Sequence, residues 1–172
     1  MLKNTECMKF LEKDLEEIIF NSDNDLLNER GLCLCKKLKR QLKIGNYGIA
    51  DLIGFTRPFY DYSKGSKILI EDGRIQIIEL KNDKINVSAF LQAINYLKGI
   101  RSYLRKRNFH TYNYIFEIVL IAKNIDKDSS FIYLTDLVQS ENFEITYYTY
   151  DYKMDGIFFN LESGYSLKEE GF

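Results

Sequence analysis

The feature that most constrains this chain is a succession of periodicities. Arg74 to Lys81 is a short, mostly apolar run, residues 86–107 place Phe90, Ala93, Ile94, Leu97, Ile100 and Leu104 along one face at three- and four-residue intervals, and Tyr112 to Ala122 is again largely apolar. These segments read as strand, helix and buried strand. Upstream, residues 5–20 read as an amphipathic helix with Met8, Leu11, Leu15, Ile18 and Ile19 at helical spacing. Leu32 to Lys43 alternates apolar and basic residues loosely enough for strand or helix and is taken as strand. Gly45-Asn46-Tyr47-Gly48 is a turn, and Ile49 to Phe55 is a strand closed by Arg57-Pro58. Ile68–Glu71 and Arg74–Lys81 flank Asp72-Gly73, the signature of a two-residue hairpin in which Gly accepts the positive φ of a type I′ turn. Phe131–Leu134, Phe143–Tyr152 and Gly156–Leu161 add aromatic-rich strands. The order helix, strands, helix, strands implies an α+β domain with a mixed sheet.

Nothing in the 172 residues marks a boundary: there is no repeat, no low-complexity tract and no Pro/Gly/Ser linker, so residues 1–172 are expected to form one compact unit. The first twenty residues carry eight charges, which fits neither a signal-peptide core nor a membrane span, and a cytoplasmic protein without membrane association is expected. Cys7, Cys33 and Cys35 are too few for a disulfide framework or a four-ligand zinc site and read as reduced, mostly buried thiols. His110 is the only histidine and reads as an ordinary residue near a helix end. Zinc-hydrolase clusters, HNH nucleases and paired-histidine mechanisms are thereby made implausible. Catalysis, if present, must rest on carboxylates and lysine.

The net charge of −1 hides a segregation. Residues 1–30 hold eight acids and four bases, residues 36–107 sixteen bases and six acids, and residues 125–172 ten acids and three bases. Two basic runs dominate the middle: Lys36, Lys37, Lys39, Arg40 and Lys43, and Lys98 through Arg101 to Arg105, Lys106 and Arg107. Such runs can neutralise phosphates, although charge runs are more often simply solvated faces.

In Ile75-Gln76-Ile77-Ile78-Glu79-Leu80-Lys81, strand alternation points Glu79 and Lys81 one way and Ile78 and Leu80 the other. Asp51 is a second acid inside an apolar strand, where it costs free energy unless paired or metal-bound. If the two strands are neighbours, Asp51, Glu79 and the Leu80 carbonyl converge as hard oxygen ligands of the kind that suit Mg²⁺, with Lys81 beside them. That set supplies what phosphodiester hydrolysis needs, a metal to polarise the phosphoryl oxygen and a cation to orient the nucleophile. An E-x-K triplet alone is most often a surface ion pair; the ordered set of elements around it is what carries weight.

Leu15-Glu16, Gly45-Asn46-Tyr47-Gly48-Ile49-Ala50-Asp51-Leu52-Ile53, Ile77-Ile78-Glu79-Leu80-Lys81 and Gln92-Ala93-Ile94-Asn95-Tyr96 together resemble the PD-(D/E)xK nucleases, particularly the branch close to archaeal endonucleases that cut branched or mismatched DNA. The resemblance covers roughly the first two-thirds of the chain. It implies a restriction-endonuclease-like core, a mixed β-sheet flanked by helices in the order αβββαβ. It further implies Asp51 and Glu79 as ligands of Mg²⁺, for which Mn²⁺ can substitute, Lys81 as the catalytic lysine, Glu16 as the first-helix acid, and Gln92 and Tyr96 as groups bordering the site. Ala50 stands where the family's name has Pro, and Thr56 to Lys67 is longer than a simple hairpin loop, either a substrate-contacting insertion or a structural one. Glu12, one turn before Glu16, and Glu17 compete for the role of first-helix acid. Gln41, in the basic strand, is a weaker candidate for contact with the site or with phosphates.

The reading from sequence is a Mg²⁺-dependent endodeoxyribonuclease, with Lys36, Lys37, Lys39, Arg40, Lys43, Tyr96, Arg101 and Arg105 as candidate nucleic-acid contacts. DNA is the expected substrate, and the same chemistry serves RNA. A two-strand cut requires a homodimer or sequential nicking. The competing readings are an inactive nuclease-fold module that binds nucleic acid or protein, and a structural or host-interaction protein whose ion pairs mimic a site.

Overall fold

A computed structural model of the protein describes residues 10–63, 65–126 and 143–163. The helices among them are α1 (Glu12–Asn21), α2 (Asn24–Glu29) and α3 (Val87–Lys106). The strands are β1 (Lys37–Lys43), β2 (Ile49–Thr56), β3 (Phe59–Asp61), β4 (Ile68–Glu71), β5 (Gly73–Leu80), β6 (Lys84–Ile85), β7 (Tyr114–Ala122), β8 (Asn124–Ile125), β9 (Glu144–Lys153) and β10 (Gly156–Ser163). Six of these make one sheet in the order β1-β2-β5-β7-β9-β10, while β3-β4 and β6-β8 form separate two-stranded pairs. The pairs β1/β2, β2/β5 and β9/β10 are antiparallel, and β5/β7 and β7/β9 are parallel, so the fold is α+β with a mixed sheet.

The apolar runs explain which strands lie in the middle. β5 and β7 have a strand on each side and helices over both faces, and nearly all of their residues are buried, the environment that continuous Ile/Val/Leu runs require. On one face Phe90, Ala93, Leu97 and Ile100 of α3 meet Ile53, Ile75, Ile77, Phe116, Ile118 and Leu120. On the other, Leu15, Ile19 and Leu27 of α1 and α2 meet Leu52, Ile78, Leu80, Val119 and Ile121. Each such aliphatic side chain stabilises the fold by roughly 2 kcal/mol. α3 starts where Asn86 accepts the Ala89 N–H in its side chain (3.0 Å), and Arg105 and Lys106 complement the dipole at its other end. Among the described residues no helix is long and apolar enough to cross a membrane.

Several sequence expectations need correction. α1 begins at Glu12, because Leu11 is extended and gives its N–H to the Asp14 carboxylate (2.8 Å); residues 5–9, Cys7 and Met8 among them, lie outside the described residues, as does the strand expected at Phe131–Leu134. α2 was not anticipated. The strand expected from Leu32 begins only at Lys37. Ahead of it the Leu34 carbonyl accepts from the Asn24 side chain and the Cys35 N–H donates to Gln76, so side chains hold backbone groups that a ladder would otherwise use. Of the thiols described, Cys35 is buried and Cys33 exposed.

The Asp72-Gly73 hairpin does not form. β4 pairs with β3, and β5 with β2 and β7. The pairs Thr56–Arg74 and Phe59–Glu71 belong to one antiparallel register, so β3 and β4 prolong the β2/β5 hairpin beyond Arg57-Pro58, and the reversal falls between Asp61 and Ile68. Gly73 is needed for space: a Cβ there would lie 2.7 Å from Pro58 Cδ and 2.7 Å from the Tyr114 ring. The long stretch Thr56–Lys67 is thus the outer half of a hairpin arm.

Candidate active site

β2 and β5 are neighbours, and their ladder ends at Leu52–Ile78. One register step further, Asp51 faces Glu79, and there a carboxylate replaces the backbone bond: Asp51 Oδ2 accepts the Leu80 N–H at 2.9 Å. The Lys81 N–H meanwhile donates to the Ile121 carbonyl (2.8 Å), holding the end of β5 against β7. The strands therefore part on the β2 side with two acids at the opening.

Glu79 is 1% exposed. Its Oε1 accepts from Lys81 Nζ at 2.7 Å, and its Oε2 is buried with no hydrogen-bond partner among the described residues. Lys81 Nζ also lies 3.8 Å from Glu12 Oε1 of α1. Burial pushes the Glu79 carboxyl up to about 7, the Asp51 charge adds to this, and the Lys81 hydrogen bond and charge oppose it. Asp51 is raised as well, chiefly by burial and against the Leu80 N–H and Lys81, with Glu12 and Glu16 pushing further up. For Lys81 burial works downward, but Glu79, Glu12 and Asp51 together outweigh it and hold the group as an ammonium.

A second buried glutamate on the same sheet provides the comparison. Glu117 of β7 accepts from Thr146 on Oε1 (2.7 Å) and from Arg74 (2.8 Å) and Gln76 (2.9 Å) on Oε2, while Arg74 also binds Glu144. Every oxygen there is satisfied, the condition of a structural network. Sequence reading missed this network, although a lone carboxylate inside the run Tyr114–Ala122 was its signal. Glu79, equally buried, has an oxygen left over.

Of the first-helix acids, Glu12 approaches Lys81, Glu17 is exposed, and Glu16 is buried but bound by Arg40 Nε (2.9 Å) and by the Gln41 amide of β1. Gln41, at φ 49°, interrupts the β1/β2 ladder opposite Asp51, so the weaker sequence suggestion lands at the rim of the cluster. Tyr96 is buried on α3, its hydroxyl accepting from Gln92 Nε2 at 2.6 Å. Burial raises the phenol and the nearby Glu79 and Asp51 charges raise it further. Gly48 (φ +116°) makes room for this ring, since a Cβ there would lie 2.9 Å from Tyr96 Cε1. The G-x-x-G turn thus seats Tyr96 next to the strand that carries Asp51.

The basic runs divide. Lys36, Lys37 and Lys39 line an open depression of about 440 Å³ with Phe20, Ser22, Asn24, Leu38 and Phe55. Lys43 is exposed at the end of β1. Arg40 is committed to Glu16 and lies over the Phe20 ring. On α3, Arg101 lies over Phe116 (4.7 Å to the ring centre), while Arg105 is exposed beside Lys98 and Lys106.

Among the described residues no group of three or more His, Cys, Asp or Glu side chains is gathered as a ligand set. The residues present nonetheless suit Mg²⁺, which binds through one or two carboxylates and keeps several waters. The unpaired Glu79 Oε2 and the mutual repulsion of Glu79 and Asp51 are what a divalent cation would relieve. No protein-family model, curated protein or solved structure gives a significant match to this chain.

Proposed function

We propose that the protein is a metal-dependent nuclease with a restriction-endonuclease-like core, hydrolysing phosphodiester bonds of DNA. The observation that carries this reading is the parting of β2 and β5 at two buried acids, one with an unpartnered oxygen, beside a lysine held protonated. Asp51 and Glu79, with the Leu80 carbonyl, would hold Mg²⁺ or Mn²⁺. Bound there, the cation supplies Lewis acidity toward a phosphoryl oxygen and lowers the pKa of water. Lys81, as an ammonium, donates and does not take protons: it orients the attacking water and stabilises the charge that grows on the pentacovalent phosphorus. Hydrolysis forms one bond from water oxygen to phosphorus and breaks one phosphorus–oxygen ester bond. Glu12 and Glu79 fix the Lys81 head group, while Tyr96 and Gln92 close the α3 side of the site. Lys36, Lys37, Lys39 and Lys43 along the β1 edge and Arg105 on α3 are exposed cations that would meet phosphates.

The test is cleavage of plasmid, single-stranded and branched DNA in Mg²⁺ by the wild type, Asp51→Asn and Lys81→Ala. Both variants are expected to lose on the order of a hundredfold or more in rate, while binding DNA with an unchanged salt dependence because the basic edge is intact. DNA binding by the wild type with no cleavage in any divalent metal would point instead to an inactive nuclease-fold binding module. Equal cleavage by all three proteins would place the activity elsewhere.

A further inference from the structure

We propose that Glu16 is a positioning residue and not a metal ligand: by clamping Gln41 in the left-handed region it holds a change of face in the sheet that aims Asp51 at β5. The first observation is a contact that ordinary strand geometry does not allow. Consecutive side chains of a strand point to opposite faces, yet Arg40 and Gln41 both bind the Glu16 carboxylate, Arg40 Nε on Oε1 at 2.9 Å and the Gln41 amide on Oε2. The φ of 49° at Gln41 brings the two together. That region is costly for a residue with a Cβ, and the buried Glu16 carboxylate is the group placed to offset the cost. With both oxygens engaged, Glu16 has a different task from Glu79.

The second observation is where the side chains go on either side of this point. In β1, Leu38 packs with the α1 layer and Leu42, four residues on, with the α3 layer. In β2, Leu52 lies in the α1 layer and Ala50, two residues back, in the α3 layer. Unbroken alternation would put Leu38 with Leu42, and Ala50 with Leu52, on a common face. Both strands therefore change face at one level. The register places Gln41 and Asp51 there: Arg40 pairs with Leu52 and Leu42 with Ala50, and the pair between them is not formed. A strand side chain ordinarily stands roughly perpendicular to its sheet. Asp51, at the crossover, instead reaches along the sheet to a backbone group of the next strand, the Leu80 N–H, at 2.9 Å. Glu16 thus acts on the candidate site through Gln41 and Asp51. The inference rests on reading Asp51 as a site residue, but the aim of its carboxylate can be measured without metal or substrate.

The experiment is amide hydrogen exchange of the full chain by NMR in chelator, comparing Leu80 with Lys81. The Leu80 N–H reports on Asp51, while the Lys81 N–H is held by the Ile121 carbonyl and reports on β5 itself. Glu16→Ala and Gln41→Val should each speed exchange at Leu80 by about tenfold or more and leave Lys81 unchanged. The first removes the clamp, and the second puts a β-branched residue where φ is positive. Glycine takes that φ without a clamp, so Gln41→Gly should protect Leu80 as in the wild type, and adding it to Glu16→Ala should restore protection. Mn²⁺ binding should follow the same pattern, weaker by about tenfold in Glu16→Ala and recovered in the double variant, as the loss of a ligand could not be. If Glu16→Ala does not fold, the contrast between Gln41→Val and Gln41→Gly gives the answer by the same amides. Unchanged Leu80 exchange in the clamp variants, loss of protection at Leu80 and Lys81 alike, or a double variant in which Leu80 protection or Mn²⁺ binding stays lost overturns the proposal. A wild type that binds no Mn²⁺ overturns the metal reading instead, and the Leu80 amide still decides how Asp51 is aimed.

Discussion

At the scale of single residues, the contrast between Glu79 and Glu117 is what singles out Glu79 as the candidate site carboxylate. Both are buried in the central strands, but Glu117 accepts from Thr146, Gln76 and Arg74, whereas among the described residues Glu79 accepts only from Lys81. The sequence made Glu79, Lys81 and Asp51 legible because strand alternation is a two-residue rule and an acid in an apolar strand is conspicuous. It left Glu12, Glu16 and Glu17 undivided, since one helical turn separates the first two and only packing sets which reaches Lys81 and which is taken by Arg40. The Glu79 carboxyl, pushed from 4.5 up to about 7, carries a pH consequence for the metal-free protein. A carboxyl raised on folding takes up a proton, so its contribution to stability is full below its ordinary value and is lost as pH rises through about 7. In chelator, urea midpoints of the wild type should fall relative to Glu79→Gln between those limits, by on the order of 3 kcal/mol in stability, and Gln should be the more stable form at alkaline pH. Parallel pH curves for the two proteins would contradict the assigned environment of Glu79.

At the scale of elements, helix α3 was legible almost to the residue, because a long amphipathic period and an Asn cap are local signals. The strands β5, β7, β9 and β10 followed from apolar and aromatic runs. Asp72-Gly73 misled because a turn dipeptide reports only local preference, while the partner of β5 is chosen by burial: eight residues of near-continuous apolar character find cover between β2 and β7 and would not find it against the exposed β4. Helix α2 escaped notice since six residues hold too little period to read. The account of Gly73 as a spacing residue makes a prediction that a turn glycine would not meet. Gly73→Ala should cost about 1–3 kcal/mol through overpacking against two rigid rings, and Gly73→Asn should cost more, measured by urea denaturation. In a type I′ turn Asn would instead be well tolerated, and an Asn variant as stable as the wild type would contradict the packing seen at Pro58 and Tyr114.

At the scale of the whole molecule, charge segregation along the chain becomes segregation in space. The lysines of β1 stand at one edge of the sheet, while Asp151, Asp155 and Glu162 lie on or between β9 and β10 at the other. The acid pair opens next to the basic edge, one strand in from it, so under the proposed function a phosphate backbone drawn to Lys37, Lys39 and Lys43 would pass the mouth between β2 and β5. The account stands on that mouth being a divalent-metal site, and titration of Mn²⁺ followed by electron paramagnetic resonance tests it directly. The wild type should bind one ion, Glu79→Gln and Asp51→Asn should each weaken binding by about tenfold or more, and Lys81→Ala should retain it. Unchanged Mn²⁺ affinity in both carboxylate variants would contradict the central claim.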